Sequence, residues 1–182
     1  NNALNQSVRE FGHTSPDKIL QSTSKIIVDT FSSTTSELKQ IQDGMDIALC
    51  KYTPSQNNIE FAGANNRLIY IRPKQEKSDE FEMMEIRGES QPVGPYIKME
   101  KFVKHSLMVN PGDSIILATD GYQDQFGGPL GKKLKVPAFK KLLLDLQKLD
   151  MNTQEKQLEE HFKKWKGNEF QVDDVTVLGL RF

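Results

Sequence analysis

Cysteine is nearly absent from this chain of 182 residues. The one thiol, Cys50, excludes an internal disulfide and a thiol-rich zinc site. It also fits a reducing compartment, so a cytoplasmic location is expected. Histidine is scarce too, and His13, His105 and His161 share no ligand spacing. Neither sign of charge is in excess. Lys plus Arg is 24 and Asp plus Glu is 25, a net charge of −1 with a pI of about 6.4. The two signs are mixed along the chain, which leaves no basic arm, no acidic tail and no electrostatic footprint for a nucleic acid. No apolar run approaches the roughly 18 residues of a membrane span. Asn1–Glu10 lacks a basic patch followed by an apolar stretch, so no signal peptide is expected. There is no repeat of fixed period and no low-complexity tract. Neither Gly127-Gly128 nor Gly131 has the spacing of a phosphate-cradling loop.

What remains is an ordinary globular composition, 36% hydrophobic and 27% charged. The length fits one domain over residues 1–182. Asn1–Phe11 reads as the end of a helix. Ser15, Pro16 and Asp17 then form a helix start, with Ser15 as cap and Pro16 at the first helical position. Ile19, Leu20, Thr23, Ile26, Ile27 and Phe31 follow at helical spacing. Ser32–Lys39 and Lys74–Glu80 read as exposed loops, and Asp43 as a turn. Asp46–Tyr52, Ile59–Ala64, Arg67–Arg72, Phe81–Arg87, Phe102–Val109 and Ser114–Thr119 read as strands, with Pro54–Asn58, Gly63–Asn66 and Pro111-Gly112 as turns. Pro137–Leu149 reads as a helix. A second helix is expected with Asn152 as cap, Glu155 three residues on, and its end near Gly167. Val175–Phe182 closes the chain as a strand. Strands, then two helices, then a strand is an α+β pattern.

Chemistry is sought where acidic residues end apolar strands, because strand ends hold side chains at fixed geometry. In SIILATDGYQD (Ser114–Asp124) a buried strand emerges at Asp120, and Gly121 lets the backbone turn sharply. Asp-Gly is equally a favoured turn pair. In QVDDVTV (Gln171–Val177) two carboxylates open the last strand, or else form a solvated loop. Adjacent strand residues face opposite ways, so only one of Asp173 and Asp174 is expected to face the same site as Asp120. Carboxylates gathered without His or Cys suit Mg²⁺ or Mn²⁺ rather than zinc. A pair of such ions can activate water for attack on phosphorus. Ser90, His105 and Asp113 form a triad only if their strand contexts are ignored.

The series DGMDIAL (Asp43–Leu49), FAGANNRLIYIR (Phe61–Arg72), QPVG (Gln91–Gly94), GDSIILATDGYQDQFGG (Gly112–Gly128) and QVDDVTVLGL (Gln171–Leu180) resembles the SpoIIE-type bacterial serine/threonine phosphatase domain, a branch of the metal-dependent PP2C-like phosphatases. The resemblance covers about Ser15 to Phe182. It implies an α-β-β-α sandwich of two antiparallel sheets flanked by helices. It implies two Mn²⁺ or Mg²⁺ ions and direct attack of water on phosphoserine or phosphothreonine. Asp120 matches the metal-binding aspartate of the TDG motif. Asp173 matches that of the last motif, with Asp174 as the open alternative. The implied substrate is a phosphorylated protein of the anti-sigma-factor antagonist type, in bacterial partner switching.

One motif of the family is not matched. Its first metal aspartate, followed by Gly-His-Gly, has no counterpart, since Gly12-His13 lacks the aspartate. The chain is therefore expected to be the C-terminal portion of the domain, with the N-terminal strands missing. Two readings follow: a truncated phosphatase, or a pseudophosphatase that binds proteins. Retention of Asp120 and Asp173 favours the first. A third reading is an unrelated α+β domain whose aspartates form turns. A sandwich without its first strands exposes sheet edges, so a homodimer or another partner chain is expected to cover them.

Overall fold

The computed structural model describes residues 2–34, 44–74 and 77–182. The expected turn at Asp43 and residues 35–39 of the expected loop lie outside them. Two compact units divide the chain. One comprises Asn1–Leu68 with Ile86–Asn110, the other Ile69–Glu85 with Pro111–Phe182.

The first unit opens with α1 (Asn2–Asn5) and a π-helical turn over Gln6–Glu10. Helix α2 (Pro16–Thr34) takes in Ser32–Thr34, which were expected in a loop. Its first turn closes through the Ser15 carbonyl, which accepts from the Ile19 N–H at 3.0 Å. The Ser15 hydroxyl instead donates to the Asp17 carboxylate. Strands β1 (Ile47–Thr53), β2 (Asn58–Ala64) and β5 (His105–Met108) form an antiparallel sheet in the order β1-β2-β5. Asn57 turns the β1–β2 hairpin with φ 46°. Leu20 of α2 packs with Ala62, Ala64, Val93 and Phe102. Phe102 belongs to this core rather than to a ladder, and so the expected strand Phe102–Val109 contracts to β5.

The second unit holds a sheet in the order β4-β3-β6-β9. Its strands are β3 (Arg67–Lys74), β4 (Lys77–Arg87), β6 (Ser114–Ala118) and β9 (Val177–Arg181). Of the charged stretch expected as a loop, Lys74 and Lys77–Glu80 are strand, and residues 75–76 lie outside the described residues. The ion pairs Lys74–Glu80 and Arg72–Glu82 tie β3 to β4, which charge counting alone does not anticipate. Three short elements follow β6: α3 (Gly121–Asp124), β7 (Phe126–Gly127) and β8 (Lys132–Lys133). Helix α4 (Val136–Asp145) tightens into a 3-10 turn over Leu146–Lys148. Helix α5 (Met151–Lys166) follows. Its cap is Asp150, not Asn152. Asp150 is extended at ψ 160°, and its carboxylate accepts from the Thr153 N–H at 3.0 Å and the Thr153 hydroxyl at 2.6 Å. These bonds hold its carboxyl below the usual range. Gly167 ends the helix at φ 55°. The core joins Ile69, Ile71 and Ile116 of the sheet to Tyr122, Phe139 and Leu143. Strand β9 lies at the outer edge of the sheet.

Candidate functional site

Antiparallel pairing of β6 with β9 runs from Ser114↔Arg181 to Ala118↔Val177. This register places the residues after β6 beside those before β9. Thr119 extends the contact beyond the ladder. Its N–H donates to the Thr176 carbonyl at 3.0 Å, and its hydroxyl donates to the Asp174 carbonyl at 2.8 Å and accepts from the Thr176 N–H at 2.9 Å. A Cβ on Gly121 would meet the Asp174 carbonyl oxygen at 2.4 Å, below any real contact. Glycine is therefore required sterically for the two loops to lie this close.

Asp120 is exposed at the start of the single-turn helix α3. Its carbonyl accepts from the Asp124 N–H at 2.9 Å, but its carboxylate makes no capping bond. The turn reading accounts for its backbone and leaves its side chain unused. Asp173 and Asp174 are also exposed. Asp173 Oδ1 accepts from the Asp174 N–H at 2.7 Å, so one oxygen of Asp173 serves the loop. The structure therefore brings the backbones of both expected acidic loops together.

Among the described residues, no three His, Cys, Asp or Glu side chains are grouped so as to hold a metal ion. The donors present are hard oxygens, right in kind for Mg²⁺ or Mn²⁺. Among the described residues they are too few for a two-ion centre.

Three further residues set this geometry. Buried Tyr122, two residues after Asp120, donates to the Leu158 carbonyl at 2.8 Å and lies 3.1 Å from His161 Nδ1, tying the loop to α5. Burial pushes its phenol up and the His161 imidazole down, the latter helped by Lys164. Gln125 is fully buried, and its Nε2 donates to the Phe126 carbonyl at 2.9 Å and the Phe170 carbonyl at 2.8 Å. Trp165 Nε1 donates to the Gln125 carbonyl at 3.0 Å. The only sequence signal for these anchors is the polar pair Gln123 and Gln125 following an apolar strand. Of the rejected triad, Asp113 is engaged by the Tyr70 hydroxyl at 2.5 Å. Burial and this bond push Tyr70 up to about 12.

The family model described as "Stage II sporulation protein E (SpoIIE)" matches residues 2–182. Comparison with curated proteins gives no match. Among solved structures, the SiaA-PP2C domain of Pseudomonas aeruginosa is 24% identical with a TM-score of 0.83, over 100% of this chain and 66% of that one. The PP2C phosphatase domain with a regulatory-domain fragment of SpoIIE from Bacillus subtilis is 16% identical with a TM-score of 0.65, over 100% and 48%. RsbX in complex with magnesium is 15% identical with a TM-score of 0.61, over 98% and 70%. The chain spans less than two thirds of the first two. At these identities the likeness is one of fold: helices with antiparallel sheets, as in PP2C-like phosphatases.

Proposed function

This chain belongs to the SpoIIE family, and from that premise we propose that it is the C-terminal portion of a single protein serine/threonine phosphatase domain in bacterial signalling. The reaction is hydrolysis of phosphoserine or phosphothreonine by direct attack of water. The substrate is a phosphorylated protein of the anti-sigma-factor antagonist type, and the setting is cytoplasmic. No helix among the described residues is long and apolar enough to cross a membrane.

One observation carries the reading. Thr119 and Gly121 hold the Asp120 loop against the Asp174 carbonyl, with the Asp120 carboxylate left free of structural duty. Asp120 and Asp173 are assigned as metal ligands, with Asp174 as the alternative to Asp173. Mg²⁺ or Mn²⁺ would supply Lewis-acid activation of water and charge neutralisation at phosphorus. The magnesium complex of RsbX supports that choice of cation. The carboxylates of this chain form only part of a ligand set, so the attack on phosphorus is not assigned to them alone.

The small donor set favours a second reading, a catalytically incomplete pseudophosphatase that binds proteins. Mn²⁺ titration by calorimetry, on this chain beside Asp120→Ala, separates the two. Binding that disappears in the variant supports the phosphatase portion. No heat in either chain favours the binding module.

A further inference from the structure

Helix α2 buries one face and leaves the other to a groove. Ile19, Leu20 and Thr23 are buried. On the opposite side, Lys18, Gln21, Ser22, Lys25 and Val28 line a single cavity of about 600 Å³ at helical spacing. Phe11 and His13, from the turn before α2, and Met99, from the segment before β5, line the same cavity. The Phe11 and His13 rings meet edge to face, with centroids 6.3 Å apart.

The walls are fastened. The Phe11 N–H donates to the Gln6 carbonyl at 3.1 Å, and the His13 N–H to the Ser7 carbonyl at 3.2 Å. Beside Met99, the Gln91 side chain grips both backbone groups of Glu100. Its Oε1 accepts from the Glu100 N–H at 2.7 Å, and its Nε2 donates to the Glu100 carbonyl at 2.7 Å. The Gly94 N–H donates to the Ser24 hydroxyl oxygen at 3.1 Å, tying that segment to α2.

The charge of the groove has one sign. Its lining holds two ammonium groups and an imidazole, and no carboxylate. Lys18 and Lys25 are exposed, and neither pairs with a carboxylate among the described residues, whereas Lys51, Lys98 and Lys104 of the same unit each pair with a glutamate. Seven residues of helix set the two lysine backbones about 10 Å apart. Residues three apart in an extended polyproline-like segment share a face and lie about 9 Å apart. Apolar walls beside only two lysines, on a chain of net charge −1, suit a short peptide rather than a nucleic acid.

We propose that this groove docks an extended acidic segment of a partner protein. Two carboxylates three residues apart meet Lys18 and Lys25, and an apolar side chain lies against Phe11 and Met99. The groove belongs to the unit that lacks Asp120 and Asp173, so the proposal is independent of the phosphatase reading.

The test uses a fluorescein-labelled peptide, Gly-Glu-Pro-Leu-Glu-Gly, with a twin in which glutamine replaces both glutamates. Binding to the 182-residue chain is followed by anisotropy at low salt without divalent metal. The glutamate peptide is expected to bind about tenfold more tightly than its twin, the scale of two partly exposed ion pairs. That preference should shrink as sodium chloride is added. Lys18→Gln with Lys25→Gln, both at exposed positions, is expected to abolish it. Lys148→Gln with Lys156→Gln, exposed lysines of the other unit, is expected to retain it. Equal binding of the twins by the parent chain overturns the proposal, as does a preference that survives loss of Lys18 and Lys25 or disappears with Lys148 and Lys156. Stronger competition by a single-stranded oligonucleotide than by unlabelled peptide overturns the peptide assignment.

Discussion

A methyl group on Gly121 would stand 2.4 Å from the carbonyl oxygen of Asp174. These residues are separated by a long excursion through two helices, yet no side chain of any size fits between them. Gly121→Ala must push the Asp173–Asp174 loop away or unseat α3. Overpacking of this kind costs about 1–3 kcal/mol, and at roughly 2–4 °C per kcal/mol a chain of this size should melt several degrees lower. Thermal unfolding by circular dichroism measures it. Amide exchange should quicken first at Thr176, whose N–H is held by Thr119. An unchanged melting point would show that the two loops are not in van der Waals contact.

Gln125→Ala should destabilise the second unit by about 2 kcal/mol or more, because two carbonyl partners and a buried side chain are lost together. Removal of the unpartnered Oε1 offsets part of this. Urea denaturation gives the total. Hydrogen exchange gives its distribution, with the largest gain expected at residues 170–174 rather than along β6.

His161 supplies a pH dependence. Burial, then Lys164, lowers its pKa below 6.5, so the folded chain holds this proton less readily than the unfolded chain. The unfolded state then binds more protons as pH falls, and stability declines on acidification from about pH 6.5, the ordinary histidine value, downward. Above that value the effect vanishes. His161→Gln should flatten the slope of melting temperature against pH in that window. A variant with the parent's slope would place the titration elsewhere.

Strand β9 is the outer strand of its sheet, and Leu178 and Leu180 are 53% and 45% exposed. An apolar edge strand without a guarding lysine or proline invites pairing. Sedimentation velocity should therefore find association that grows with concentration. Leu178→Lys with Leu180→Lys should shift the distribution toward the monomer. A parent chain that stays monomeric at every concentration would count against an edge-mediated dimer.

Much of the fold was legible because its signals are local. Ser15-Pro16-Asp17 marks the start of α2, and Gly167 the end of α5, through backbone geometry that needs no tertiary partner. Short apolar runs bounded by turn residues located β2, β3 and β6 to within a few residues. Where two local candidates compete, spacing alone misleads. Asn152 with Glu155 has capping-box spacing, but Asp150 takes the cap because its extended backbone aims the carboxylate at the Thr153 amide. Charge alone makes Lys74 and Glu80 look solvated, yet both are strand residues and pair with each other across β3 and β4.

The order of motifs along the chain established the family, the α+β class and the acidic positions worth weighing, since each depends on residue type and spacing. Tertiary structure decided what those positions touch. The Thr119–Asp174 bond, the closeness of Gly121 to the Asp174 carbonyl and the Gln125–Phe170 bond all join residues about 45 to 55 apart. Such contacts arise from the β6–β9 register and from the seating of α5, and these are settled by the packing of the whole unit rather than by any stretch of sequence.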